Sequence, residues 1–173
     1  CKSARMRWEE LFDDLESQAE ATMLELEQED AAEIEVAEQA QILLADRIRA
    51  RIGSHLVVGV EGESYAGDVI DASRAWVLLA GPVSDVLVPM SAIAWVDGLE
   101  RSAPSPQGAE LKIGLGHVLR RLAQEEVDVR VLCAGRTVSG VIDRVGYDHL
   151  EVRVNGAQIG IVVPFWALTS VAL

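Results

Sequence analysis

Lysine is nearly missing from this chain, with two in 173 residues, and so are cysteine (two) and aromatic side chains (5%). Two lysines and scattered arginines give little of the clustered positive charge whose counterion release drives binding to a phosphate backbone. Cys1 and Cys133 make neither a disulfide framework nor a metal site, and Cys133 reads as a small buried hydrophobe in a strand. No apolar run approaches the roughly 18–20 residues that span a bilayer as a helix. No basic start leads into an apolar block with a small-residue cleavage site, so no secretory signal is read. A cytoplasmic protein without a membrane partner is the expectation. Met6 reads as a natural start and Cys1–Arg5 as an upstream extension.

Catalytic signatures are missing as well. His55, His117 and His149 lie far apart, and no Gly-x-Ser-x-Gly, Cys-x-x-Cys or His-x-x-x-His occurs. Neither Gly67 nor Gly140 opens a helix, so no phosphate-cradling loop is present. The expectation is no catalytic residue, no cofactor, no metal and no enzyme.

What the chain has is a sequence that returns on itself. Val60-Glu61-Gly62-Glu63-Ser64-Tyr65-Ala66-Gly67 recurs 73 positions later as Cys133-Ala134-Gly135-Arg136-Thr137-Val138-Ser139-Gly140. The register runs without a gap from Leu56/Val129 to Leu79/Val152. It resumes two residues out of step, with Val88-Pro89-Met90-Ser91-Ala92-Ile93 matching Val163-Pro164-Phe165-Trp166-Ala167-Leu168. Such a slip marks a lengthened hairpin tip, because loops take insertions that paired strands do not.

The net charge of −13 is concentrated in one place. Trp8 to Asp46 holds fourteen acids and no base, leaving fourteen acids against fifteen bases elsewhere. In that segment Trp8, Leu11, Phe12, Leu15, Ala19, Met23 and Leu26 follow a helical period, which breaks near Asp30 and restarts as Ile34, Ala37, Ala40, Leu43, Leu44 and Ile48 before Gly53. This predicts an acidic helical segment over 6–52, as two helices or one kinked helix. Arg47, Arg49 and Arg51 crowd its end, where cations meet the helix dipole.

From there the period is two. Strands are predicted at Leu56–Val60, Ser64–Asp71, Ala75–Leu79, Val86–Pro89 and Ala92–Val96, completing a unit over 53–99. Residues 100–109, with Pro104 and Pro106, read as a linker. A helix over Glu110–Gln124 and a second strand set from Val127 to Ala172 fill 110–173. The fold class expected is α+β, mainly β: two tandem five-stranded antiparallel barrels of SH3-like size, each preceded by a helix. Gly67 and Gly140 sit inside the second strand of each set, where a small barrel must curl.

Gly62, Gly67, Ala75-Trp76-Val77-Leu78-Leu79 and Val88-Pro89-Met90-Ser91-Ala92-Ile93 together resemble the Sm-like fold, closest to the bacterial RNA chaperone branch, Hfq. The likeness covers 43–99 and again 115–173. It implies barrels that assemble edge to edge through their last two strands, and an RNA site made by loop pairs. The RNA pairs are replaced here. A Gln-Phe pair corresponds to Arg74-Ala75 and Tyr147-Asp148, a Lys-His pair to Met90-Ser91 and Phe165-Trp166, and an Arg-Gly or Lys-Gly pair finds only Asp97-Gly98.

The reading that follows is a non-enzymatic assembly or adaptor protein, partnered by itself or by another protein through barrel edges or the acidic helix. It forms an oligomer or an intramolecular pair of barrels. Its candidate interface residues are Phe165, Trp166, Met90, Trp8 and Phe12. The alternative is RNA binding regulated by the acidic arm, through Arg74, Tyr147, Arg144, Arg120 and Arg121, with Trp76, Trp95 and Trp166 as stacking platforms.

Overall fold

The order of pairing, more than the strands themselves, decides the architecture. The computed structural model describes residues 42–100, 113–154 and 160–173. Helix α1 (Leu44–Arg49) leads into β1 (His55–Val60), β2 (Glu63–Ala72), β3 (Trp76–Ala80), β4 (Asp85–Pro89) and β5 (Trp95–Asp97). Helix α2 (Leu115–Gln124) leads into β6 (Asp128–Cys133), β7 (Arg136–Val145), β8 (His149–Arg153), β9 (Ile161–Pro164) and β10 (Leu168–Ala172). Short 3-10 turns at Met90–Ala92 and Phe165–Ala167 precede β5 and β10.

These strands do not close into two five-stranded barrels. They form one ten-stranded antiparallel sheet in the order β5-β1-β2-β3-β4-β10-β6-β7-β8-β9. The expectation of two barrels with a long helix is therefore corrected, and the reason is visible at β4. Closing the first set needs β4 or β3 to meet β5, but β4 spends its second edge on β10, with Leu87 opposite Val171 and Val86 opposite Ala172. β5 is three residues long and, among the described residues, bonds β1 alone. Each strand set satisfies the edge of the other instead of its own. The sheet and both helices belong to one compact unit, Ile42–Leu173.

Within each half the hairpins follow the 73-residue offset seen in sequence. Leu56 faces Gly67 and Val129 faces Gly140. Both second strands carry an irregularity, between Val69 and Asp71 on β2 and between Ile142 and Arg144 on β7. A bulge of this kind bends a strand and raises its twist. The bare backbone of the two glycines admits the carbonyl of a neighbouring strand. A Cβ on Gly67 would overlap the Ala80 oxygen, and one on Gly140 the Arg153 oxygen.

Two apolar clusters form, and they exchange members across the middle. The first contains Ile48, Leu56, Val58, Val69, Val77, Leu79 and Val88, and it takes in Ala172 from β10. The second contains Leu119, Val131, Ile142, Leu150, Val163 and Val171, and it takes in Trp76 and Leu87 from β3 and β4. At about 1.5–3 kcal/mol for each large side chain withdrawn from water, these shared residues bind the halves as firmly as an ordinary core.

Each helix is described over only part of its apolar stripe. Of the segment 6–52, residues 6–41 lie outside the described residues, and α1 takes only six positions near its end. Its arginines reach away from the helix. Arg47 donates from Nε and Nη2 to the Glu100 carbonyl, at 2.9 and 2.6 Å. Arg51 donates to the Glu100 carboxylate at 2.6 Å, and Arg49 to the Ala72 carbonyl at 2.6 Å. The predicted linker at 100–109 is described only at Glu100, and there it is held by α1. Helix α2 starts at Leu115, behind Gly114, and buries Leu119 against the second cluster. No helix among the described residues is long and apolar enough to cross a membrane.

Candidate interface surfaces

Three surfaces carry chemistry: the seam between β4 and β10, the free strands at the sheet's ends, and an exposed aromatic pair. The seam is buried on both faces: Leu87 and Val171 belong to the second cluster, Val86 and Ala172 to the first, and β10 is buried along its whole length. Trp76 is only 4% exposed, and its indole N–H donates to the Ile113 carbonyl at 2.9 Å, tying β3 to the segment that opens α2. An amphipathic ring of this kind is stable in a core only when its N–H finds an acceptor. The Leu173 N–H donates to Asp85 O at 2.9 Å and extends the β4–β10 pairing by one step.

Above the seam Tyr65 projects from β2. Its hydroxyl lies 2.6 Å from Glu63 Oε2 and 2.7 Å from Ser170 Oγ on β10. A carboxylate accepts only, so the phenol donates to Glu63 and accepts from Ser170. Burial, reinforced by Glu63, raises the phenol's pKa above its ordinary 10.0. The folded state therefore holds the proton more tightly than the unfolded chain. That contribution is complete below pH 10.0 and is lost as pH rises through the folded value. Tyr65→Phe should lower stability by about 0.5–1.5 kcal/mol near neutrality. It should also flatten the loss of thermal midpoint that the parent shows above pH 10.0. Parallel alkaline melting curves for the two proteins would refute the link.

Beside this network runs an open cleft of about 580 Å³, lined by Asp128, Arg130, Ser139, Ser84 and Val83, and an adjoining one of about 310 Å³ that contains Tyr65. Arg130 borders both. Hydroxyls, one guanidinium and one carboxylate can hold a polar group there. They offer no nucleophile paired with a base, and among the described residues no three His, Cys, Asp or Glu gather to hold a metal.

The two end strands each bond one neighbour, β5 to β1 and β9 to β8. Trp95 on β5 lies across Gly59 of β1, where a Cβ would overlap the indole.

The candidate interface residues divide. Phe165 and Met90 occupy counterpart places at the two 3-10 turns: the Phe165 N–H donates to Asp148 O at 2.8 Å and the Met90 N–H to Ala75 O at 2.9 Å. Both side chains are partly buried, Phe165 on the second cluster and Met90 on the first. Trp166, next in sequence, is 86% exposed, and Tyr147, next to Asp148, is 99% exposed. The Asp148–Phe165 bond thus holds two free aromatic rings at one margin of the sheet. The hydrogen bond from His149, 2.8 Å away, lowers the Asp148 carboxyl pKa. Trp8 and Phe12 lie outside the described residues.

Of the arginines singled out for RNA, Arg121 pairs with Glu125 on its own helix at 3.4 Å. Arg74, Arg120 and Arg144 are exposed, and among the described residues they make no ion pair or side-chain hydrogen bond. The residues that sequence reasoning missed are those of the seam, Leu87, Val171, Ala172 and Ile113. Their only signal was an apolar run whose partner lies more than eighty residues away, or, for Ile113, a carbonyl that no pattern marks. No family model matches this chain, and no curated protein matches it.

Proposed function

We propose that this protein is a non-enzymatic assembly or adaptor protein that joins partners by strand addition at the ends of its sheet. One observation supports the reading above the rest. Among the described residues the sheet ends on two strands with unpaired outer edges, while its middle is a junction made by strands of the same kind. An open edge is a template for a further strand, whose main-chain bonds give affinity while alternate side chains give selectivity. The resemblance to Sm-like proteins, which assemble edge to edge, agrees with this reading.

The test is a particle mass in solution, with absorbance at 260 and 280 nm, on protein purified without nuclease. A particle free of nucleic acid and heavier than one chain is expected. Val96→Asp combined with Val162→Asp, one carboxylate on each end strand, should release whatever protein is bound. Retention of the same partner by that variant would sink the reading. RNA binding is the second reading, favoured by the exposure of Tyr147 and Trp166 and by Arg74, Arg120 and Arg144, which make no ion pair among the described residues. Sub-micromolar binding of U-rich or A-rich RNA at physiological salt, lost with Tyr147→Ala and Trp166→Ala, would establish it in place of the first.

A further inference from the structure

The ends of the sheet are counterparts of the strands that meet in its middle. β9 stands to β8 as β4 stands to β3: His149 faces Pro164 as Trp76 faces Pro89. β5 stands to β1 as β10 stands to β6: Val96 faces Val58 as Val171 faces Val131. The chain therefore contains one completed junction, β4 with β10, and the two halves of a second, which stand at opposite ends of the sheet order and are not bonded to each other among the described residues.

The residues at those unfilled positions fit the contact. At the seam, Leu87 faces Val171 and Val86 faces Ala172. The counterparts, 75 positions away, are Val162 and Ile161 on β9, and Val96 and Asp97 on β5. Leu87 is 0% exposed at the seam, whereas Val162 is 57% exposed at the free edge. Ile161 and Val96 already pack in part on the two clusters, so Val162 carries the argument: sealed at the seam in its counterpart and open here, it points to a missing strand with the chemistry of β5.

We propose that β9 of one copy pairs antiparallel with β5 of a second copy, Val162 against Val96 and Ile161 against Asp97. This rests on the assembly reading above and names its partner. Each copy gives one edge and receives at the other, so the contact is head to tail rather than two-fold, and it repeats until it closes. Asp97 is the one mismatch. Its seam counterpart is buried Ala172, and its own carboxylate accepts the Gly98 N–H at 2.8 Å at the strand's end. A charge on an edge strand restrains pairing. The junction between copies is thereby weaker than the seam and reversible on dilution.

Light scattering after size exclusion, over a dilution series, tests this. The parent should exceed the 18.7 kDa of one chain and fall toward it on dilution. Val162→Asp and Val96→Lys should each reduce the particle to a single chain. Mixed in equal amounts, they should rebuild the larger particle, because the native β9 of one meets the native β5 of the other and the remaining junction sets opposite charges against each other. Both changes in one chain set opposite charges across the junction and should restore the larger particle. Asp97→Ala should shift dissociation to lower concentration. A parent that stays at one chain throughout, or a mixture that does not pair, overturns the proposal. A different protein that binds the parent and is released by the edge substitutions would overturn self-pairing while leaving the assembly reading in place.

Discussion

Replacing Trp76 with alanine is expected to cost about 3–5 kcal/mol, the range for emptying an aromatic site in a core. In a chain of this length that lowers the thermal midpoint by roughly 6–20 °C. The effect is large because Trp76 serves two places at once. Its ring sits 4% exposed in the cluster of the second half although it belongs to a strand of the first. Its indole N–H satisfies the Ile113 carbonyl at 2.9 Å. Trp76→Phe separates the two contributions, since it keeps most of the apolar bulk and removes the donor. It should cost about 1–3 kcal/mol, the penalty for a buried acceptor left without a partner. Denaturant unfolding followed by circular dichroism gives both numbers. A loss of under about 1 kcal/mol for the alanine variant would mean the halves do not depend on this residue, because surface changes fall in that range.

Gly67→Ala and Gly140→Ala form the second large expectation. Each new Cβ would overlap a backbone oxygen of the adjacent strand, Ala80 or Arg153, and a strand carbonyl cannot swing aside as a side chain can. Overpacking of this kind costs about 1–3 kcal/mol when side chains yield, and more when backbone has to move. Each variant should therefore melt well below the parent or fail to accumulate folded. Gly114→Ala is the control. Nothing stands within 4 Å of a Cβ there, so its cost should be the small one of a poorer helix start, under about 1 kcal/mol. Equal midpoints for the three variants would show that close approach at β2 and β7 is not what those glycines provide.

The strands were legible in the sequence because each is a local event. Leu56–Val60, read from its alternation, is found as His55–Val60, and Val86–Pro89 as Asp85–Pro89. The strand read at Ala92–Val96 is found later, at Trp95–Asp97. Pro89 leads into a 3-10 turn at Met90–Ala92, and a short apolar run does not distinguish that turn from a strand. Closure was not legible. Period and turns tell a strand which neighbour it has through a hairpin, but β4 finds β10 across the whole second half, where no pattern in sequence points. The two expected barrels are overturned there, because β4 pairs with β10 and the ten strands form one sheet. The interface candidates met the same limit from the other side. Phe165 and Trp166 are adjacent and equally apolar in sequence, yet one rests on the second cluster and the other faces solvent. Only the placement of the 3-10 turn over α2 separates them.

Strand β10 comes last among the ten in sequence and lies between β4 and β6 in the sheet. Synthesis from the N-terminus delivers a central strand of the sheet after the nine others. Until residues 168–172 arrive, β4 and β6 each hold an unpaired edge, and Trp76 and Leu87 have only part of their burial. The first half therefore waits, with its stickiest strand open, for the time taken to make about eighty further residues, some 4–16 s at ordinary elongation rates. Pairing segments so far apart is also slow once the chain is complete. The yield of native protein will depend on what shields β4 during that interval, whether a chaperone or the arriving edge of a neighbouring nascent chain.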